Sequence, residues 1–301
     1  MRKSNRNSFK KSYQDKIFDV VNVVVMLVLL LIFVWPLWFV LIASVSNPTA
    51  VWNCEVVLWP VGFSMKAYKE AMNYSSLWTG YRNTIFYTVA GTLLNVVITT
   101  CAAYPLSRKE FLPRKFVLYV LLFTMYFSGG LIPTYLVVKK LGMIDTVWAM
   151  IIPGACSVYN VLVMRTYFKS SIPESLWEAA ELDGANSFQY LIKILLPLSK
   201  PIIAVISLYY AVGHWNDYYT ALVYIYDMKL MPLQSILKDL LMATQVQKNG
   251  PMTSIQMQEK RELAQLLKYC TIILASAPVL CAYPFVQKYF VKGVMIGSVK
   301  E

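Results

Sequence analysis

Long apolar runs alternate with short charged stretches along this chain, and the lengths of the runs define its class. No charge falls between Asp19 and Glu55, and Val20 to Ala43 within that interval is almost wholly apolar. Four further charge-free runs are bounded by Arg82 and Arg108, Lys115 and Lys139, Asp145 and Arg165, and Lys268 and Lys288. A fifth, Ile202 to Tyr226, holds one acid, Asp217. An α-helix needs about 20 apolar residues to cross the roughly 30 Å hydrocarbon layer, and each run has about that length. The pattern predicts an all-α polytopic membrane protein with six transmembrane helices. The first run is too long for a signal-peptide core and no A-x-A cleavage pattern follows it, so it reads as an uncleaved span.

Charge orients these spans. Arg2, Lys3, Arg6, Lys10, Lys11 and Lys16 make residues 1–16 a basic tail ahead of a transmembrane domain over 17–301. Arg108, Lys109, Arg114 and Lys115 make the loop after the second span strongly basic. Short loops rich in Lys and Arg stay in the cytoplasm. Both termini are therefore expected inside, and most of the 28 Lys and Arg residues fall on cytoplasmic segments. Residues 46–81 read as an outer loop, Lys139 to Asp145 as an outer turn, and Asp227 to Glu262 as a polar outer loop. The third span contains Phe127-Ser128-Gly129-Gly130 and Pro133, read either as a kink at close helix packing or as a bend lining a pathway.

The same orientation puts residues 171–201, SSIPESLWEAAELDGANSFQYLIKILLPLSKP, between spans four and five in the cytoplasm. Ser171 and Glu174 read as a capping box with Pro173 at the start of a short helix. Gly184 suits a left-handed helix end, Ser187 a second cap, and Pro197 a stop after a helix over 188–196. The stretch carries Glu178-Ala179-Ala180, then Gly184, then Ile194, Leu196 and Pro197 at fixed spacing. It resembles the EAA loop of the membrane subunits of ABC importers, with every consensus position filled.

That resemblance implies that this loop is a coupling helix docking on a cytoplasmic ATPase. Span number, loop position, FSGGLIPTYL, AVGHWND and the ending VKGVMIGSVK are similar to the MalG-like sugar-importer permeases. Within these they look like the branch handling oligosaccharides and aldouronates. The implied function is a non-enzymatic permease subunit in a bacterial plasma membrane. Its implied partners are a second permease subunit forming a heterodimer, two ATPase subunits, an external sugar-binding protein and membrane lipid. In MalG-like permeases the loop after span five reaches the binding protein. The turn Asn249-Gly250-Pro251 is the contact expected here, against the alternative of a tip with no partner.

Composition agrees with this class. Hydrophobic residues make up 57% and charged residues 15%, against about a quarter charged in soluble domains. A net charge of +12 without a basic stripe interleaved with aromatics does not suit nucleic acid. Five scattered cysteines give neither a disulfide framework nor metal spacing, and His214 is the only histidine. No GxxxxGK[ST] occurs, so no cofactor is expected on this chain, and ATP and Mg belong to the partner ATPase.

Two readings remain for the fifth span. Tyr210, Gly213, His214 and Asp217 follow i, i+3, i+4, i+7, with Trp215 and Asn216 beside them. Such a face offers acceptors and aromatic planes for sugar hydroxyls, hence a substrate pathway. It also fits an interhelical hydrogen-bond cluster or an aromatic belt. A secondary transporter using Asp217 as an ion or proton site is the rival function, though no inverted repeat supports it. A membrane enzyme finds no cluster of His, Cys or paired carboxylates. Past this span, Pro232 opens a helix whose Leu233, Ile236, Leu237, Leu240 and Leu241 form one stripe, to be buried on the outer interface or on neighbouring helix ends.

Overall fold

The computed structural model describes residues 12–246, 267–281 and 284, and every regular element among them is helical. The chain divides into two compact units, Met1–Glu70 with Pro251–Ile273 and Ala71–Gly250 with Leu274–Glu301.

In the first unit, α1 (Tyr13–Ser44) begins where the Ser12 N–H donates to the Asp15 carboxylate at 2.9 Å. It is 32 residues long with Pro36 inside, and of its residues only Ile42, Ala43 and Ser44 are buried. The segment read as an outer loop contains a short helix, α2 (Pro48–Trp52), which Asn47 caps by accepting from the Thr49 N–H at 3.0 Å. The chain returns beside the end of α1 through Asn47 N–H to Val61 O and Ser64 N–H to Val45 O, both 2.9 Å. The Trp38 indole donates to Leu58 O at 2.9 Å, and its ring meets Trp59 edge-on at 6.2 Å. α3 (Lys66–Asn73) follows, and its Tyr68 hydroxyl donates to Ser44 Oγ at 3.0 Å.

The second unit is built on α4 (Ser75–Ser107), 33 residues long and already helical ahead of Arg82. Its buried positions include Gly80, Asn83, Thr84, Tyr87, Gly91, Asn95, Thr99 and Ala103, small or hydrogen-bonding residues three or four apart. Its exposed positions are the apolar ones, among them Ile85, Phe86, Val89, Leu93 and Val97. A helix surrounded by lipid gains nothing by burying leucine; small residues admit close neighbours and polar ones bond across the gap.

The third, fourth and fifth apolar runs are broken. α5 (Arg114–Tyr126) and α6 (Leu131–Lys140) meet at 112°, which is more than a kink. Gly130 at φ +85 makes the bend, and Pro133 lies in the first turn of α6, where no intrahelical N–H is missed. The fourth run splits into α7 (Val147–Ile151) and α8 (Val158–Ser171) around Pro153 and Gly154. Next come α9 (Ser175–Leu182), α10 (Ser187–Tyr190), a π-helical turn at Leu191–Leu195 and α11 (Leu196–Leu198). α12 (Lys200–Trp215) leaves that run at 83°. It stops at Trp215 rather than Tyr226. α13 (Tyr219–Tyr224), a 3-10 turn at Met228–Leu230, α14 (Leu233–Val246) and α15 (Leu267–Cys281) complete the described chain.

Among the described residues, α1 and α4 are each long and apolar enough to cross a membrane, and the count reaches four if each bent pair forms one span. α4 packs against α5, α7, α8, α12 and α14. One buried cluster joins Ala103, Tyr104 and Leu106 of α4 to α8, to Ala180, Tyr190, Leu191 and Leu195, and to Ile206 and Tyr210 of α12. Another joins Tyr87 to α7 and α13. Leu233, Ile236 and Leu237 of the α14 stripe are buried: Leu233 and Ile236 close on Gly80 in the first turns of α4, and the Leu233 N–H donates to Thr84 Oγ1 at 2.8 Å. Of the two expected covers, a neighbouring helix end is the one used.

Candidate functional site

Two regions on α4 collect the residues that the sequence singled out. The first is the helix–turn–helix of residues 175–198. Ser171 does not open it; it is the last residue of α8, and Glu174 is the residue before α9. Glu174 is not free to complete a capping box, because its carboxylate pairs with Lys109 Nζ. The hydrogen bond from Lys109 holds the Glu174 carboxyl below its ordinary value. Gly184 has φ +78, as expected, and nothing lies within 4 Å of the place a Cβ would take. The turn satisfies the last carbonyls of α9 through Ala185 N–H to Ala180 O at 2.9 Å and Gly184 N–H to Glu181 O at 3.0 Å. The second cap is Asn186 rather than Ser187. Asn186 Oδ1 accepts from the Gln189 N–H at 2.8 Å and Gln189 Oε1 accepts from the Asn186 N–H at 3.0 Å. Pro197 neither stops nor kinks at 196: the helical path reaches Leu198, and the bend comes at Ser199.

The EAA positions divide into two sets. Ala180 is buried, while Ile194 and Leu196 are half-buried against the core. Glu178, Ala179, Gly184 and Pro197 are exposed, as are Leu182 and Phe188. The surface therefore presents an acid, an open turn and two large apolar side chains.

The second region is the polar face between α12 and α4. The Tyr210 hydroxyl lies 2.7 Å from Thr99 Oγ1 and accepts from the Ser157 N–H at 3.1 Å, at the start of α8. Asn95 Nδ2 and His214 Nε2 are 3.1 Å apart, with the imidazole seated over Gly91. Both side chains thus face the protein interior and are engaged in an interhelical cluster. The helical face does not extend to Asp217, because α12 has ended. Asp217 Oδ1 instead accepts from the Thr220 N–H at 3.0 Å and caps α13. Trp215 is buried and donates to Ala275 O at 3.0 Å, whereas exposed Asn216 folds back onto Val212 O at 3.0 Å. Asn249, Gly250 and Pro251 lie outside the described residues, as does the chain ending.

Sequence reasoning passed over α4. Asn83 donates to Lys229 O at 2.7 Å and to Met231 O at 3.0 Å, and the Tyr87 hydroxyl donates to Leu230 O at 2.8 Å. The signal was the run of Gly, Asn and Thr at helical spacing within an apolar span. Arg108 and Lys109 were read only as markers of topology, yet both contact the EAA segment.

A chain whose described elements are all helical, with lipid-length helices and small and polar residues buried along α4, is an integral membrane protein, and its fold is that of an ABC permease. The crystal structure of a bacterial ABC transporter involved in the import of the acidic polysaccharide alginate superposes with a TM-score of 0.85 at 34% identity, covering 94% of this chain and all of that one. The polygalacturonan/rhamnogalacturonan transport system permease protein YtcP of Bacillus subtilis is 37% identical over 95% of this chain and 99% of its own length. Protein LplC of Bacillus subtilis is 36% identical over 95% of each chain. The chain belongs to the family of permease subunits of sugar-importing ABC transporters, and is a transport subunit of the plasma membrane rather than an enzyme. No known family profile matches it.

Proposed function

We propose that this chain is one of two permease subunits in an ATP-driven importer of oligosaccharides. Residues 17–301 serve as one transmembrane domain of six spans behind the basic tail of residues 1–16, with both termini in the cytoplasm. A second, different permease subunit completes the pathway. Two cytoplasmic ATPases bind ATP and Mg, and an external binding protein delivers the sugar. Closure of the ATPase dimer moves the coupling loop, and the pathway opens outward. ATP thereby shifts a two-state equilibrium through its differential affinity for the two states.

The observation that carries this reading is the segment from α9 to α11, where Glu178, Ala179, Gly184 and Pro197 are open to a partner while Ala180, Ile194 and Leu196 hold the segment on the core. The sugar class rests on relatives at 34–37% identity whose names refer to polysaccharide transport. In this scheme Tyr210, His214, Trp215, Asn216 and Asp217 border the pathway, and Asn249, Gly250 and Pro251 meet the binding protein.

Purification of the tagged chain in mild detergent from its own host tests the assembly. An ATPase and a second permease should co-purify; a lone oligomer that transports by itself would refute it. Loss of labelled oligosaccharide uptake in a deletion strain tests the substrate class. A cysteine placed at Gly250 should cross-link to the binding protein when ATP is bound and hydrolysis is blocked. No adduct, with full transport after the tip is shortened, would remove that contact.

A further inference from the structure

The coupling segment has two covalent neighbours, α8 and α12, and packs against both, yet its charged and cation–π contacts reach a third helix. Arg108, the residue that ends α4, lays its guanidinium 4.2 Å from the centre of the Trp177 ring and 5.3 Å from that of Tyr190. Trp177 and Tyr190 meet edge-on at 5.0 Å, one from α9 and one from α10, so a single cation holds both short helices. Lys109, the next residue, pairs with Glu174 at the mouth of α9. The grip is itself braced: Arg114 donates to Arg108 O and Arg165 to Leu106 O, each at 2.8 Å. Cation–π contacts shielded from water are stronger than exposed ones, and this guanidinium is only 17% exposed.

The covalent route toward α12 is weaker as a lever. It passes a π-helical turn at Leu191–Leu195 and an 83° break at Ser199. α4 runs 33 residues as one helix, with Pro105 in its last turn, and on its way it meets Tyr210 at Thr99, His214 at Asn95 and α14 at Gly80. We infer that Arg108, with Lys109, is a positioning residue that clamps the coupling segment to α4, and that α4 carries the segment's displacement to the polar face and to α14. This rests on the coupling role proposed above for the EAA segment. Arg is the suitable residue because its flat guanidinium can lie against an aromatic ring and still reach a carboxylate at its edge, here Glu110 Oε2 at 3.5 Å from Nε; an ammonium cannot.

The test uses the full transporter, with its partner permease and ATPases, in lipid nanodiscs. The five native cysteines are replaced and a reporter cysteine is placed at Thr92 in α4. Its reaction with a water-soluble maleimide is compared without nucleotide and with ATP plus vanadate, alongside ATP hydrolysis. The parent should show a change of several-fold in labelling rate between the two conditions; no change would overturn the claim that α4 moves. Arg108→Leu and Arg108→Lys should assemble and hydrolyse ATP while the labelling rates in the two conditions converge to within about 1.5-fold. A purely structural role would lower assembly and hydrolysis together. Lys109→Glu and Glu174→Lys should each weaken the response, and the two combined should restore it to within about twofold. An undiminished response in Arg108→Leu, or no restoration by the exchanged pair, would overturn the clamp. Gly184→Val separates the two proposals. If it removes the response while Arg108→Leu does not, only the clamp fails; if it leaves the response intact, the coupling role of the segment fails.

Discussion

The Tyr210 hydroxyl stands 2.7 Å from Thr99 Oγ1, joining the middle of α12 to the middle of α4. The same oxygen accepts from the Ser157 N–H at 3.1 Å, so three helices converge on one atom. Removing it in Tyr210→Phe leaves the half-buried Ser157 amide and the buried Thr99 hydroxyl without that partner. The expected loss is about 1–3 kcal/mol of stability, read as a lower midpoint of thermal unfolding in detergent. Thr99→Ala combined with Tyr210→Phe should cost less than the sum of the two, because they share one contact. Strict additivity would show that the contact is not made.

Two glycines of α4 should respond differently to the same substitution. A Cβ at Gly91 would come 2.6 Å from His214 Cε1, the far end of a side chain that can swing away. Gly91→Ala should therefore break the Asn95–His214 contact and lower stability by roughly 1–3 kcal/mol, and His214→Ala should relieve most of that loss. A Cβ at Gly80 would come 3.0 Å from Leu233 Cα, which is backbone. Gly80→Ala should displace α14, and no single side-chain truncation should rescue it. Unfolding midpoints of the four variants decide this.

Gly184 separates backbone strain from packing. Its φ is +78 and the space around it is empty, so a larger residue meets only the conformational penalty, roughly 1–2 kcal/mol for a non-glycine residue. Gly184→Asn should keep most activity, since Asn tolerates this region, whereas Gly184→Val should abolish uptake at normal membrane levels. Equal uptake in the two would show that the turn does not need this conformation.

Asp145 gives a prediction in acid. Its carboxylate accepts from the Asp227 and Tyr226 N–H groups at 2.8 Å, and these bonds hold its pKa below the ordinary 3.8. A depressed acid contributes stability that is fully present above 3.8 and is lost as pH falls through the lower folded value. Hydrogen-exchange protection of the Tyr226 and Asp227 amides should therefore decline only in acid below 3.8. Asp145→Asn, which keeps an acceptor oxygen and tolerates the residue's φ of +58, should remove that pH dependence. Unchanged acid sensitivity in the variant would assign it to another group.

What the sequence determined by itself is what depends on neighbours in the chain. Apolar run length set the membrane class and placed α1, since crossing lipid is a matter of length and hydropathy. Gly184 was legible because a left-handed helix end is a local preference, and the stripe from Leu233 because amphipathic periodicity is local too. The tertiary structure decided the rest. Hydropathy reads through Asn216 to Tyr218 without a pause, yet α12 stops at Trp215, whose indole is bonded to Ala275 O; the acid then caps a new helix instead of lining the old one. In the middle of α4 the usual signal is inverted, with Ile85, Phe86, Val89, Leu93 and Val97 exposed and Gly91, Asn95 and Thr99 buried, so a search for an apolar inner face misses it. Arg108 and Lys109 read as loop cations because sequence cannot distinguish a solvated cation from one lying over Trp177 and Tyr190 or paired with Glu174. Those partners lie 65 or more residues away, and only the folded chain brings them within reach.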